Sequence, residues 1–275
     1  MTDPSRRVLL RAGAALSSLP LAPALLGGCS APASLPDART GTGPGAAPDP
    51  AAAQPLAVTP ARRAPLRIPG APVQLTHGPG TDGRLALTFN AEPGADPAVA
   101  ARTLDLLRGR GLRVTVLAVG TWLAAEPALA RRLLDEGHEL GNHTEHHKDL
   151  SLLTEPAVRA EIEQCAHRLF RLGGGIGPWL RSPRHRESDP RVIRAAQRAG
   201  YPHLLAYDTD PADWRDPSPA TIRARVLRTV GPGGIVTLHL GRPHTLQALP
   251  ALLTALSRGN LRPVPASELF LPRGT

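Results

Sequence analysis

Cysteine is nearly absent. The 275 residues hold two, Cys29 and Cys165, too few for a disulfide framework to support the fold. Cys165 falls in the apolar-periodic stretch from Ala157 to Leu172, where it reads as a small buried hydrophobe and not as a nucleophile. Aromatic residues make up only 3% of the chain, which argues against a long sugar-stacking groove. No basic run is interleaved with aromatics. The net charge of +9 and the sequence pI near 11.1 therefore describe a scattered, arginine-rich surface and give no nucleic-acid site. Such a surface still suits anionic partners such as cell-wall polymers or phospholipid headgroups. There is also no apolar run of the ~20 residues that a membrane-spanning helix needs, and no internal repeat.

The N-terminus has a pattern of its own. Ser5-Arg6-Arg7-Val8-Leu9-Leu10-Arg11 leads into an uncharged apolar stretch from Ala12 to Leu26, which closes on Leu26-Gly27-Gly28-Cys29. This order resembles a twin-arginine export signal ending in a lipoprotein cleavage box, with Cys29 as the lipidated residue. Residues 1–29 are expected to be a signal, and the mature protein to be exported and held at the membrane by its lipid. Residues 30–72 are rich in Ala, Pro, Gly and Thr without apolar periodicity, and read as a disordered tether. Residues 73–275 are expected to form a single α/β domain, and the protein to be a monomer.

Within that domain, short β-rich runs alternate with helical patterns, which predicts a mainly parallel sheet. Strands are expected at Leu85–Phe89, Arg113–Val119, Glu139–Gly141, Leu204–Asp208 and Gly234–Leu240, with a poorer candidate near Trp179. Amphipathic helices are expected at Pro97–Arg108, Pro127–Glu136 and Arg191–Ala199, followed by Gly111, Gly137 and Gly200 as stops. The unusual polar residues gather behind these strands: Asn90 and Glu92, His143 and His147, Arg181, Asp210 and Asp213, and His239. In a parallel barrel those carboxyl ends share the face on which active sites are built.

His143-Thr144-Glu145-His146-His147 sets two imidazoles four residues apart, a spacing that on a helical turn points both to one side, within reach of one divalent ion. A third ligand is needed, and a carboxylate after the first strand would supply it. The segment from Gly137 to His147, continued by Leu150, Leu152-Leu153-Thr154 and Glu161-Ile162, resembles the second signature of the polysaccharide deacetylases (carbohydrate esterase family 4). Other blocks follow in the family's order. They are Leu87-Thr88-Phe89, Val119-Gly120 with Trp122, Arg181-Ser182-Pro183, Asp210-Pro211-Ala212-Asp213-Trp214, and Ile235 to His239 with Thr245 and Ala248-Leu249-Pro250. The resemblance spans about Gln74 to Leu271.

It implies an irregular (β/α) barrel that removes acetyl groups from N-acetylated sugars of chitin-type oligomers or peptidoglycan. His143 and His147 would hold a divalent metal, usually zinc, which lowers the pKa of its bound water towards ~7. His239 would be the general acid that protonates the leaving amine. Asp210 or Asp213 would orient His239 or pair with Arg181, and Trp214 would be either a wall against a sugar ring or a core residue.

The first motif departs from the family, whose strand usually ends Thr-Phe-Asp-Asp with a base and then a ligand. Here it reads Thr88-Phe89-Asn90-Ala91-Glu92. Asn90 stands at the base position, and an amide accepts no proton at neutral pH; general-base help is typically worth ~10²–10⁴-fold in rate. Glu92 is either the third metal ligand, shifted by one residue, or a substitute base. Arg184 stands where the family favours an aromatic residue, and could line the substrate pocket or salt-bridge an acidic loop. Two functions are compatible with this pattern: an exported amidohydrolase that works without an acidic base, or an inactive barrel that binds glycan.

Overall fold

A computed structural model describes residues 62–272, all within the compact unit Ala52–Thr275. Cys29, the signal and most of the tether lie outside the described residues. The strands are β1 (Gln74–Leu75), β2 (Arg84–Ala91), β3 (Thr115–Ala118), β4 (Glu139–Asn142), β5 (Leu204–Leu205), β6 (Ile235–His239) and β7 (Arg262–Val264). The helices are α1 (Pro97–Gly109), α2 (Gly120–Ala125), α3 (Pro127–Asp135), α4 (Glu155–Gly173), α5 (Pro190–Arg198), α6 (Pro219–Thr229), α7 (Pro243–Arg258) and α8 (Ala266–Phe270). Prolines mark helix starts: α1, α3, α5, α6 and α7 each begin on one, where the missing N–H costs nothing and the fixed φ suits the first turn. Asp96 caps α1 by accepting from Ala98 N at 2.8 Å and Val99 N at 3.2 Å, a contact worth ~1 kcal/mol. The expected stops hold, since Gly111, Gly137 and Gly200 all have positive φ, the conformation that glycine adopts without strain.

Every ladder is parallel. β2 is central, with β6 on one edge and β3 and β7 sharing the other; β4 pairs with β3. The circuit continues through single bridges from Asn142 to Leu180 and from Leu180 to Leu204, and closes from Thr209 to Val236 of β6. The result is an irregular (β/α) barrel whose weakest stave is the Trp179 region. Gly141 makes that stave possible: a side chain there would meet the Trp179 carbonyl at 2.8 Å, blocking the approach that lets Asn142 N donate to it.

Alternation along the strands sorts the core. Leu85, Leu87, Phe89 and Ala91 of β2 pack with Val116, Ala118, Val236 and Leu238 beneath the helices. The intervening positions Ala86, Thr88 and Asn90, with Leu117, Ile235, Thr237 and His239, belong to the interior face. Glu139 and Thr115 share the lower end of that interior, where Glu139 Oε2 accepts from Thr115 Oγ1 at 2.7 Å and from Trp179 Nε1 at 3.2 Å.

The folded part begins earlier than residue 73. Leu66 joins the cluster around Trp179, Arg63 Nη1 donates to Gly173 O at 2.6 Å, and His203 Nδ1 meets Pro72 O at 2.8 Å. The last part of the expected tether is thus a packed strap, because Leu66 buries apolar area that the surrounding Ala/Pro/Gly sequence does not advertise.

His138, just before β4, is 1% exposed and accepts the Val114 N–H on Nδ1 at 3.1 Å. Burial pushes its imidazole down to about 4, whereas in the unfolded chain it titrates near ~6.5. Between those values the unfolded chain takes up a proton that the folded one refuses, so stability falls as pH drops through that window, by up to about 3 kcal/mol for this group. Thermal midpoints measured from pH 7 to pH 4 should decline, and His138→Asn, which keeps an acceptor, should flatten the slope.

Candidate metal centre and catalytic cleft

The interior positions at the upper ends of β2, β4 and β6 open into a cavity of about 410 Å³, lined by Asn90, Glu92, His143, His147, Arg181, Arg184, Asp210, Trp214 and His239 among others. His143 continues the inward alternation of Glu139 and Gly141 one residue beyond β4. The expectation that both imidazoles sit on a helical turn is corrected: 143–147 is a loop in which Thr144 and His147 have φ of 66° and 57°. Local side-chain acceptors outcompete helix there. Asn142 Oδ1 accepts from Thr144 N at 2.8 Å, and the Glu161 carboxylate of α4 accepts from His146 N at 2.8 Å and meets His146 Nδ1 at 2.9 Å and Lys148 Nζ at 3.0 Å.

The loop still brings the imidazoles together, with ring centroids 4.8 Å apart. Glu92 Oε1 lies 3.2 Å from His147 Nε2, 3.5 Å from His239 Nε2 and 3.9 Å from His143 Nε2. Burial works against ionisation of Glu92, yet hydrogen bonds from His147 and His239 and the nearby His143 hold its carboxyl well below the usual carboxylate range. His143 Nδ1 faces the Arg181 carbonyl at 2.9 Å and must carry the proton, which leaves Nε2 as a lone pair. That buried Nε2 has no hydrogen-bond partner. Burial, together with the charges of His147 and Arg181, pushes the imidazole down to about 3, so the lone pair stays available.

One carboxylate oxygen and two imidazole nitrogens within 4.8 Å of one another match what a divalent ion requires of a protein with open coordination positions. Glu92, His143 and His147 fit a metal on the unsatisfied Nε2 as well as on donor type.

His239 is held from behind. Its Nδ1 lies 2.7 Å from Asp213 Oδ1, its backbone N donates to Asp213 Oδ2 at 2.8 Å, and Thr245 Oγ1 donates to the same oxygen at 2.7 Å. Of the two candidate aspartates, Asp213 is the one that reaches His239; Asp210 instead accepts from Ala212 N at 2.7 Å and lines the cavity. Burial alone would lower the His239 pKa, but hydrogen bonds and charge from Asp213 and Glu92 lift it to about 9.

Arg181 is buried beneath Asn90, and all five of its N–H donors meet neutral acceptors. Nη1 donates to Asn90 Oδ1 at 3.0 Å and Thr237 Oγ1 at 3.2 Å, Nη2 to Thr88 Oγ1 at 2.9 Å and Ala206 O at 3.2 Å, and Nε to Leu205 O at 2.9 Å. Trp214 is no core residue: it is 45% exposed, lines the cavity, and carries the Arg215 guanidinium 4.5 Å above its ring. Arg184, with φ of 63°, is exposed at the mouth and forms no ion pair with an acidic loop among the described residues.

Sequence reasoning missed Ser182, His185, Tyr207, Thr237 and Arg242 in the lining. Thr237 was discoverable, since it stands two residues before His239 on the same strand face; Arg242 and Tyr207 carry no local signal.

The model for the family described as polysaccharide deacetylase matches residues 77–204. A peptidoglycan-N-acetylglucosamine deacetylase of Bacillus cereus is 32% identical over 196 residues, covering 70% of this chain and 90% of that protein. The chain belongs to the polysaccharide deacetylase family. A chitooligosaccharide deacetylase of Bradyrhizobium is 31% identical over 208 residues, 66% of this chain and 89% of the relative. Among solved structures, a pseudoenzyme of this family from Bacillus anthracis shares the fold with a TM-score of 0.67 at 22% identity, over 72% of this chain and 69% of that one. The irregular barrel is thus the family's fold.

The His239–Asp213 contact has a direct spectroscopic test. In metal-free protein, Asp213→Asn should bring the His239 pKa down from about 9 towards the ordinary ~6.5, read from the ring C–H signals in an NMR titration.

Proposed function

We propose that the chain is a metal-dependent hydrolase that removes acetyl groups from N-acetylated glycans of the peptidoglycan or chitin type, slowed by the amide at position 90. The observation that carries this reading is the unpartnered, buried Nε2 of His143 beside Glu92 and His147, set opposite an imidazole with a raised pKa, His239. A divalent ion held by those three residues, zinc by the choice of ligands, supplies Lewis-acid chemistry, acidifying water and polarising an acyl oxygen.

The remaining work falls to the chain. His239 keeps its proton at neutral pH and directs Nε2 into the cavity, in position to protonate the departing amine while Asp213 steadies the imidazolium. Asn90 hydrogen-bonds water without deprotonating it, and Arg181 fixes the amide from below. The backbone N–H of Arg184 serves as an oxyanion donor, and Trp214 offers its exposed ring to a sugar face. The N-terminal pattern extends the proposal to place: an exported lipoprotein anchored through Cys29, acting as a monomer on the cell wall.

The second reading, a glycan-binding barrel without turnover, is favoured by Asn90 alone. Zinc content and acetate release from N-acetylglucosamine oligomers and peptidoglycan separate the two. Wild type should bind one equivalent of zinc and release acetate slowly. Asn90→Asp should accelerate release by ~10²–10⁴-fold, and His143→Ala should lose both metal and activity. Wild-type release at background, regained only in Asn90→Asp, would sink the hydrolase reading and leave the binding one.

A further inference from the structure

The cavity is richer in positive charge than a neutral sugar requires. Three arginines line it, Arg181, Arg184 and Arg242, against two carboxylates, Glu92 and Asp210. Glu92 is engaged by three imidazoles, and one oxygen of Asp210 is tied to the Ala212 N–H. The buried Arg181 touches no carboxylate at all; its five donors end on an amide oxygen, two hydroxyls and two carbonyls.

Neighbouring basic side chains are already engaged. His185 pairs with Asp149 at 3.0 Å, His244 with Asp216 at 2.9 Å, and Arg215 lies over Trp214. Arg184 and Arg242 differ from them in forming no ion pair among the described residues while lining the cavity. Two guanidiniums without ion pairs at the mouth, above a third that hydrogen-bonds only neutral acceptors and has Asp210 as its nearby negative charge, make a field that attracts an anion, and the planar fork of arginine suits a carboxylate.

We infer that Arg184 and Arg242 select a glycan bearing a free carboxylate on or beside its N-acetylated sugar, in preference to an uncharged oligomer. The inference rests on the glycan-deacetylase reading and adds the charge of the substrate to it. It concerns the two guanidiniums at the mouth, which form no hydrogen bond or ion pair with Glu92, His143 or His239, and not the Arg184 backbone N–H that serves the oxyanion.

A matched pair of ligands tests it: the disaccharide of N-acetylglucosamine and N-acetylmuramic acid as free acid, and as its methyl ester, titrated calorimetrically into zinc-loaded wild type. The acid should bind at least ~10-fold more tightly than the ester, with the difference shrinking as salt is raised from about 50 to 200 mM. Arg184→Gln and Arg242→Gln should each cut the preference several-fold and together abolish it, with the thermal midpoint unchanged and, for Arg242→Gln, the ester's affinity unchanged. Equal binding of acid and ester would overturn the inference while leaving the deacetylase reading intact, since that reading depends on acetate release. Binding of neither ligand, with acetate still released from uncharged oligomers, would overturn the inference too. Loss of both binding and release would remove the glycan reading along with it.

Discussion

The guanidinium of Arg181 is the constraint on which the rest of the molecule depends. It comes from the weakest stave of the barrel, and its hydrogen bonds reach Thr88 and Asn90 of β2, Thr237 of β6 and the carbonyls of Leu205 and Ala206. Desolvating a cation costs several kcal/mol; five hydrogen bonds and the Tyr207 ring 5.5 Å away offset it. A single residue thereby holds together a circuit that backbone pairing closes only through isolated bridges. Its carbonyl also fixes the tautomer of His143, so barrel closure and the orientation of that imidazole are one event.

The same residue decides what Asn90 can do. Arginine only donates, so the Asn90 oxygen must face it, and the amide nitrogen is left 3.4 Å from His239 Nε2. An N–H therefore points at a nitrogen that Asp213 and Glu92 favour in its protonated form. The amide both lacks a proton acceptor and presents a donor where a carboxylate would accept.

Much of this was legible beforehand. The alternation that places Asn90, His239 and His143 inward follows from strand period, and the family blocks fell in order around it. The glycine stops and the strand positions of β2, β3, β4 and β6 held to within two residues at either end. What could not be read depended on contacts distant in sequence. The 143–147 loop resembles a helical turn until Glu161, on α4, supplies the acceptors that make it a loop. The choice between Asp210 and Asp213 turned on which carboxylate meets His239, and three residues of spacing do not encode that. The strap at 63–72 was hidden because its anchors, buried Leu66 and the hydrogen bonds of Arg63 and Pro72, reach residues distant in sequence from a segment whose composition reads as unstructured.

Asn90 and His239 are direct partners in the β2–β6 register, and Ala91 and Ala118 are partners in the β2–β3 register. A residue inserted or deleted in β2 would turn its inward row outward and empty the cleft of its polar groups. The only heritable change this frame tolerates at position 90 is a replacement of the side chain. Asparagine and aspartate codons differ by a single base, so an acidic and an amide form of the same cleft lie one point mutation apart within this frame.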